Sequence, residues 1–321
     1  MTVQAGIVGC GNIARSHLQG YRDNGIPVVA VSDVSSDAAY ALAEECGAAV
    51  YPDFNAMYAS GKINLVSVCT PPCAHEAAAV AALRQNINVL LEKPQAHTLT
   101  AAQNITRAAA ESSALLMMAF RHRFLDANCK LKEILDGGVI GKPVFFENMF
   151  CGPAFDMQEK WFSHRHISGG GSLLDTGSHS IDLFRYFFGE ITEQVGVTGH
   201  HFPVADVEDT GMISVKSENG VIGCLISSWA AGAGNAFIRI MGESGQAYYD
   251  YCNPDRILIR RDWNSESELI AVVPGSGFCD QIRHFVAACE KREPLQCSAQ
   301  DGLKCFQVVD AIYNDDNESS N

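Results

Sequence analysis

The first 120 residues alternate short apolar runs with amphipathic helix patterns, and this alternation limits the folds open to the chain. Short buried strands that alternate with helices are typical of parallel βαβ units. The predicted strands are 3–8, 28–33, 64–69, 88–93 and 114–120, and the predicted helices are 12–25, 37–47, 74–86 and 99–112. We therefore predict a doubly wound parallel sheet for the first part of the chain.

The pattern changes near residue 121, where strands begin to follow one another closely. Closely spaced strands with hairpin turns between them predict a C-terminal α+β domain with a large, mostly antiparallel open sheet. The predicted strands here are 144–150, 191–200, 210–217, 221–230, 236–243, 246–251 and 256–261, and the predicted helices are 124–138, 172–189, 276–291 and 299–314.

Length and pattern together predict two domains, since 321 residues is long for a single core. The predicted boundaries are 1–120 for the parallel-sheet domain and 121–314 for the α+β domain, with a frayed tail at 315–321. The closing helices are expected to be able to pack back on the first domain. Strands with apolar side chains on both faces predict a homo-oligomer, either a dimer or a tetramer.

Charge and cysteine content exclude several classes of protein. The formal net charge of −14 argues against a nucleic-acid or anionic-membrane partner. We find no apolar run long enough to span a bilayer and no secretory signal. The 12 cysteines include no CxxC pair, so we expect free thiols in a reducing cytoplasm.

The segment GCGNIA at 9–14 stands between the first predicted strand and helix. Gly9 permits a tight turn, Gly11 lets the backbone approach a pyrophosphate, and the following helix N-terminus favours phosphate. Asp33 ends the next strand, where it would bond the adenosine ribose and repel a 2′-phosphate. The pattern predicts a Rossmann domain that binds NAD, with NADP less favoured; the alternative for Asp33 is a solvated loop carboxylate.

Two further loops follow strands at the carboxyl edge of the predicted sheet. Thr70 and Pro71 follow the third strand, and Glu92 and Lys93 end the fourth. Open α/β sheets bind ligands at this edge. The alternatives are a rigid turn for the prolines and a solvated surface charge for Lys93.

The predicted helix at 172–189 places three polar residues at i, i+4 and i+7: Asp175, His179 and Asp182. This spacing brings them near one face, beside a strongly apolar surface. Alone, His179 could be a satisfied helix histidine, and we interpret Asp182 as structural, capping or pairing with a neighbour. His164 and His166 could join Asp175 and His179 around a metal, but HxH pairs more often contact solvent or substrate, so no metal is predicted.

In this order and at these spacings, GCGNIA, Asp33, TPP, EKP and GGGSLLDTGSH resemble the Gfo/Idh/MocA oxidoreductase family over nearly the whole chain. The resemblance implies a Rossmann domain, a second domain whose open sheet makes subunit contacts, and NAD(P)-dependent chemistry at a sugar or cyclitol carbon. It also implies that Lys93, Asp175 and His179 are the motif residues and that Trp161 borders the nicotinamide. The segments 161–171 and 121–124 depart from the commoner family patterns.

We therefore assign Lys93, Asp175 and His179 as catalytic: His179 as proton acceptor, Asp175 as its orienting partner and Lys93 as stabiliser of alkoxide charge. The candidate cofactor-binding residues are Gly9, Gly11, Asn12, Ile13, Asp33, Thr70, Pro71, His75, Glu92, Lys93 and Trp161. The candidate substrate-binding residues are Lys93, Arg121, His166, Asp175 and His179.

The sequence predicts an NAD-dependent dehydrogenase that moves a hydride between nicotinamide and a ring carbinol of a sugar, sugar derivative or cyclitol. Two alternatives stay open. One is a glycosidase that oxidises its substrate transiently with bound NAD, and the other is a dinucleotide-binding regulator without turnover. The particular sugar or cyclitol is not fixed by these motifs.

Overall fold

The computed structural model describes residues 3–262, 264 and 266–319, with the backbone alone for 316–319. The helices are α1 Asn12–Asp23, α2 Ser36–Cys46, α3 Phe54–Ala59, α4 His75–Arg84, α5 Leu99–Glu111, α6 Asp126–Asp136, α7 Arg165–Ser168, α8 Ser172–Asp175, α9 Gly177–Phe188, α10 Phe278–Cys289 and α11 Ala299–Ser319. The strands are β1 Ala5–Val8, β2 Val28–Ser32, β3 Ala49–Tyr51, β4 Leu65–Val68, β5 Asn88–Leu91, β6 Leu116–Met118, β7 Pro143–Cys151, β8 Ile191–Gly199, β9 Thr210–Ser217, β10 Ile222–Ser228, β11 Asn235–Gly242, β12 Gly245–Asp250, β13 Arg256–Arg260 and β14 Glu268–Ala271.

Contacts divide the chain into two compact units. The first comprises 1–121, 166–169 and 278–306, and the second comprises 122–165, 170–277 and 307–321. The helix α10 belongs to the first unit and packs against α1, where an ideal Cβ on Gly20 would lie 2.7 Å from Ile282 Cδ1. Glycine at this position therefore allows the two helices to approach closely.

The first unit is built on a parallel sheet with the order β3-β2-β1-β4-β5-β6, six strands within the described chain. All its strand pairs run parallel. β1 and β4 are buried along their whole length, as strands covered on both faces must be. This is the dinucleotide-binding strand order, and the predicted doubly wound sheet is confirmed.

The second unit is built on an open sheet with the order β14-β13-β12-β11-β7-β10-β9-β8, eight strands within the described chain. β7 and β10 run parallel, and the other pairs described are antiparallel. The rings of Phe184, Phe187 and Phe188 on α9 pack around Phe146 of β7. The predicted mostly antiparallel open sheet is confirmed.

Several element boundaries differ from the prediction. The helix predicted at 172–189 is instead divided at Thr176 into α8 and α9, and His179 N bonds to Thr176 O three residues back rather than four. Thr176 keeps right-handed helical angles (φ −86°, ψ −43°), so the chain continues in nearly the same direction. β3, α3, α7 and β14 were not predicted. The backbone of α11 is helical through Ser319, whereas most of the predicted frayed tail, 315–321, lies outside the residues whose side chains are described.

Candidate functional site

The turn after β1 requires glycine at its first position. Gly9 has φ +87°, and an ideal Cβ there would lie 2.6 Å from the carbonyl carbon of Cys69 and 2.7 Å from the amide nitrogen of Thr70. Any side chain would therefore separate the loops that follow β1 and β4, which are neighbours in the sheet. In a doubly wound sheet, these two loops frame the switch point where ligands bind.

The N-terminus of α1, like that of α4, has no side-chain cap. Side chains of Ser35, Asp53 and Thr98 cap α2, α3 and α5, but no side chain caps α1. Gly11 and Asn12 are exposed, and an ideal Cβ on Gly11 would meet no described atom within 4 Å. A helix start with amides directed at open space can accept a phosphate group.

Asp33 lies beside this turn, held by backbone amides. One carboxylate oxygen accepts from Cys10 N at 2.6 Å and the other from Ser35 N at 2.7 Å. A carboxylate oxygen can accept more than one hydrogen bond, so Asp33 can also receive bonds from ribose hydroxyls. Burial, followed by the charge of Asp33, raises the pKa of the Cys10 thiol to about 12, which keeps the thiol neutral.

The loop after β4 carries a polar atom without a partner among the described residues: the buried hydroxyl oxygen of Thr70. A bound molecule could supply that partner. His75 is fully buried and links two loops, with Nε2 2.8 Å from Thr70 O and Nδ1 3.0 Å from Pro94 O. Burial lowers the pKa of His75, and a neutral ring carries a single N–H, so it donates to one of these two carbonyls at a time.

The loop after β5 holds Glu92 and Lys93. Glu92 is 7% exposed; one of its oxygens lies 2.8 Å from His17 Nε2, and the other accepts from Lys93 N at 3.1 Å. Burial raises the pKa of Glu92, but the hydrogen bond from His17 and the charge of Lys93 bring the net pKa below its ordinary value. Lys93 is half-buried, and Pro94 follows through a cis peptide bond.

These features fit a dinucleotide. The glycine turn, the open helix start, the Asp33 carboxylate and the partnerless Thr70 hydroxyl all lie on loops at the carboxyl edge of one sheet. They offer, in turn, close backbone approach, phosphate-binding amides, a ribose acceptor and a polar contact. Ile13, the second residue of α1, is half-buried.

The three glycines at 169–171 are each required by a different neighbour. An ideal Cβ on Gly169 would lie 2.4 Å from His97 O in the first unit. In the second unit, an ideal Cβ on Gly170 would lie 2.3 Å from Tyr313 Oη, and one on Gly171 1.6 Å from Glu208 O. The motif therefore fixes the entry into α8 by steric contact.

Glu208 secures the start of α8. Its carboxylate accepts from Gly171 N at 3.1 Å, Leu173 N at 2.9 Å and Tyr313 Oη at 2.8 Å. Burial raises the pKa of Glu208, and the bonds from Leu173 and Tyr313 partly oppose that rise. The backbone that carries the next motif residues is thus held by a buried carboxylate.

Asp175 ends α8, and His179 lies in the first turn of α9. Asp175 is half-buried and accepts from the Thr176 hydroxyl at 3.2 Å, while Trp229 Nε1 donates to that hydroxyl at 3.2 Å. His179 is 8% exposed, and its ring centroid lies 4.5 Å from that of His122. His122 Nδ1 lies 3.2 Å from Tyr251 Oη. A histidine pair is therefore built into one side of the second unit.

Asp182 pairs with Arg123, in agreement with its interpretation as structural. Arg123 Nε and Nη2 reach the two carboxylate oxygens at 2.8 and 2.6 Å. The side chains are 9% and 1% exposed, so the fork-shaped pair is buried. This contact anchors α9 to the segment before α6.

The remaining predicted residues lie in less buried places. Arg121 places its guanidinium 5.3 Å from the centre of the Phe278 ring, and His166 is exposed on α7. Trp161 stacks on Phe162 at 3.7 Å between ring centroids. Among the residues that the structure describes, no group of three or more His, Cys, Asp or Glu side chains could hold a metal ion.

Sequence reasoning missed four residues that hold these groups: His17, His122, Glu208 and Tyr251. His17 had a usable signal, because it shares the buried face of α1 with Ala14, Leu18 and Tyr21, where an unexplained histidine invites a partner. The other three come from distant segments and become visible only in the folded chain.

Comparison with known proteins gives the family. The model for the oxidoreductase family with an NAD-binding Rossmann fold matches residues 3–120, and that for the GFO/IDH/MocA C-terminal domain matches 129–248. The chain belongs to this Gfo/Idh/MocA oxidoreductase family. The predictions of family, two-part fold class and oxidoreductase activity are confirmed.

Named relatives cover almost the full length. The chain is 32% identical to the D-glucoside 3-dehydrogenase of Escherichia coli (strain K12), over 97% of this chain and 94% of the relative. It is 23% identical to the myo-inositol 2-dehydrogenase of Thermotoga maritima, over 94% and 92%. A structure of levoglucosan dehydrogenase with NADH and levoglucosan has a TM-score of 0.92 at 20% identity, covering 98% of this chain and 97% of that one, which shows a shared fold.

No helix in the described ranges combines the length and apolar composition needed to cross a membrane.

Proposed function

We propose that this protein is an NAD-dependent dehydrogenase of a ring carbinol in a sugar, sugar derivative or cyclitol. The observation that carries the proposal is the dinucleotide-binding turn at Gly9–Gly11 with Asp33 bonded to it, in a chain whose full-length relatives are named as sugar and inositol dehydrogenases. The sequence led to the same function. The test is equimolar formation of reduced nicotinamide and a keto product from a panel of sugars, inositols and glycosides.

Bound NAD would be held by the loops around Gly9, Gly11, Asp33 and Thr70 and would supply the hydride acceptor. We assign the proton transfer to this chain's own residues. An imidazole nitrogen of His179 takes the proton of the carbinol hydroxyl, and the Lys93 ammonium donates a hydrogen bond to the same oxygen as its negative charge grows. Asp175 orients His179. Arg121, His166 and Trp161 remain candidates for substrate and cofactor contacts.

The contacts of Asp33 support NAD rather than NADP as the cofactor. Its carboxylate is fixed by two backbone amides, and the next residue is the fully exposed Val34, which offers no positive charge to a 2′-phosphate. Charge repulsion at such a site costs on the order of a few kcal/mol.

We expect NAD to bind more tightly than NADP, and Asp33→Ser to narrow that gap mainly by improving NADP binding. Titration of each cofactor, followed by nicotinamide or protein fluorescence, measures both constants. Asp37→Ser, on α2 close by in sequence, is the control and should leave the ratio unchanged. NADP binding to the unaltered protein as tightly as NAD would refute this assignment.

We also propose that the protein is a homo-oligomer. One face of the open sheet packs on α8 and α9, whereas the other presents Val195, Val197, Met212 and Ile222 with exposed fractions of 64, 59, 38 and 50%. Val197 pairs with Met212, and Met212 with Ile226, so this apolar face is continuous across neighbouring strands. A continuous apolar face of this kind is typical of a subunit interface.

Replacing both Val197 and Met212 with lysine should shift the protein toward monomer, because two charges would be buried in the interface. Light scattering after size exclusion, at micromolar protein, measures the mass. Val204→Lys is the matched control, since Val204 is 62% exposed and lies off the sheet. An unaltered protein that is monomeric under these conditions would contradict the proposal.

A cytoplasmic location remains a prediction. It is supported by the cysteines, all 12 of which are free. Free thiols persist where the surroundings are reducing.

A further inference from the structure

A chain of four buried polar side chains runs through the first unit to the loop that carries Lys93. Tyr21 Oη lies 2.7 Å from Ser67 Oγ, Ser67 Oγ lies 2.9 Å from His17 Nδ1, and His17 Nε2 lies 2.8 Å from Glu92 Oε1. Tyr21, Ser67 and His17 are 0% exposed. A buried polar chain of this kind is costly unless every member is satisfied.

Glu92, at one end of these four side chains, sets the direction of its hydrogen bond with His17. An ionised Glu92 carboxylate can only accept, so His17 Nε2 carries the proton of that bond. With Nδ1 unprotonated, His17 accepts from the Ser67 hydroxyl, whose oxygen in turn accepts from Tyr21; with Nδ1 protonated, His17 donates to Ser67 Oγ. Each of the four side chains then has a hydrogen-bond partner within the group.

The second oxygen of Glu92 acts on Lys93 itself. It accepts from the Lys93 amide N–H at 3.1 Å. Because a trans peptide is planar with its N–H and C=O on opposite sides, this bond also turns the Glu92 carbonyl away from the buried carboxylate. The orientation of the Glu92–Lys93 peptide is therefore coupled to His17 through one carboxylate.

We propose that His17 is a positioning residue that acts through Glu92 to fix the peptide from which Lys93 projects. The inference rests on the proposed function for the part Lys93 takes in catalysis, but the hydrogen-bond coupling itself does not depend on it. Ser67, His17 and Glu92 also have the composition of a nucleophilic triad. Ser67 is fully buried and bonded on both sides, so substrate has no access to it and this role is excluded.

Two substitutions at His17 separate its two bonds. In His17→Gln, the side-chain amide nitrogen lies near the position of Nε2 and can still donate to Glu92. In His17→Asn, the shorter side chain places its amide nitrogen near the position of Nδ1, from which it can reach only Ser67. Both remove the imidazole and introduce the same amide chemistry. A merely space-filling role for His17 would make the two variants equivalent in every assay below.

In the cofactor-free protein, selective ¹⁵N-lysine labelling reports hydrogen exchange at the Lys93 amide. His17→Asn should speed that exchange about tenfold, since a hydrogen bond to a charged acceptor is weakened, and His17→Gln should not. In turnover assays, His17→Asn should lower kcat about 10- to 100-fold with KM and NAD affinity little changed, as expected for a misplaced catalytic group. His17→Gln should restore most of kcat.

Equal exchange rates in both variants and the unaltered protein would overturn the proposal, and so would equal losses of kcat. If His17→Asn does not fold, Glu92→Gln removes the charged acceptor of the same bond, and it must speed Lys93 exchange for the proposal to stand. If the unaltered protein oxidises no carbinol, the proposed function fails, while the exchange measurement still decides the coupling.

Discussion

His179→Ala should lower turnover by about two to four orders of magnitude, the usual loss when a positioned general base is removed. NAD affinity should change little, because the dinucleotide contacts proposed above lie on other residues. The variant loses the imidazole that packs at 4.5 Å against His122. Stopped-flow or steady-state measurement of NAD reduction, with NAD titration alongside, checks both parts of the expectation.

His200→Ala serves as the control, since His200 is an exposed histidine after β8 and its replacement should leave turnover unchanged.

Lys93→Met should also suppress turnover, because the forming alkoxide loses a cationic donor. The double variant should be little worse than the worse single one, since groups acting on one proton transfer are not additive. Near-normal turnover in His179→Ala would make the histidine structural and direct attention to Lys93 or to the His164–His166 segment.

Asp182→Ala should destabilise the protein by about 3–5 kcal/mol, because it leaves the buried guanidinium of Arg123 without its carboxylate. The two hydrogen bonds of 2.8 and 2.6 Å are lost together, and the side chains concerned are 9% and 1% exposed. Denaturant titration with tryptophan fluorescence measures the change in the free energy of unfolding. The dependence of that free energy on denaturant concentration should be the same in both proteins, which shows that the same transition is compared.

Asp255→Ala is the matched comparison. Asp255 also pairs with an arginine, Arg256, at 2.8 Å, but these side chains are 59% and 46% exposed. Loss of such a surface pair changes stability by less than about 1 kcal/mol. If the two variants are destabilised to the same small extent, the Arg123–Asp182 pair does not anchor α9 as described.

The fold was largely predictable because its signals are local. β1, β2, β4 and β5 lie within a few residues of their predicted ranges, since a buried parallel strand shows as a short apolar run. The segment 49–59 was missed because its strand has three residues on an edge and its helix has six. Neither element is long enough for its hydrophobic periodicity to be recognised in the sequence.

The helix predicted at 172–189 shows where a local pattern misleads. The i, i+4, i+7 spacing is present, but the segment is divided into α8 and α9 at Thr176. Asp182 pairs with Arg123, and His179 contacts His122. Both partners come from a segment far away in the sequence. Periodicity can place three residues on one face, but it cannot give the partners that the tertiary fold brings to them.

Candidate site residues were predictable where a motif requires a residue type. Gly9 and Asp33 stand where the turn and strand end require them, and the structure gives each a specific contact. His75 shows the limit of this reasoning, because its burial and its place between Thr70 O and Pro94 O give it a structural role that the sequence alone does not reveal. Glu208 had no motif to mark it.

The most direct test of the central proposal is to follow the carbinol hydrogen. A compound active in the panel is labelled with deuterium at the reacting carbon and incubated with the protein and NAD, and the nicotinamide and the product are analysed by mass spectrometry. We expect one deuterium in each reduced nicotinamide formed, in equal amount with a ketone. Cleavage of a glycoside with no net reduced nicotinamide, or NAD binding without turnover of any panel member, would contradict the proposed dehydrogenase.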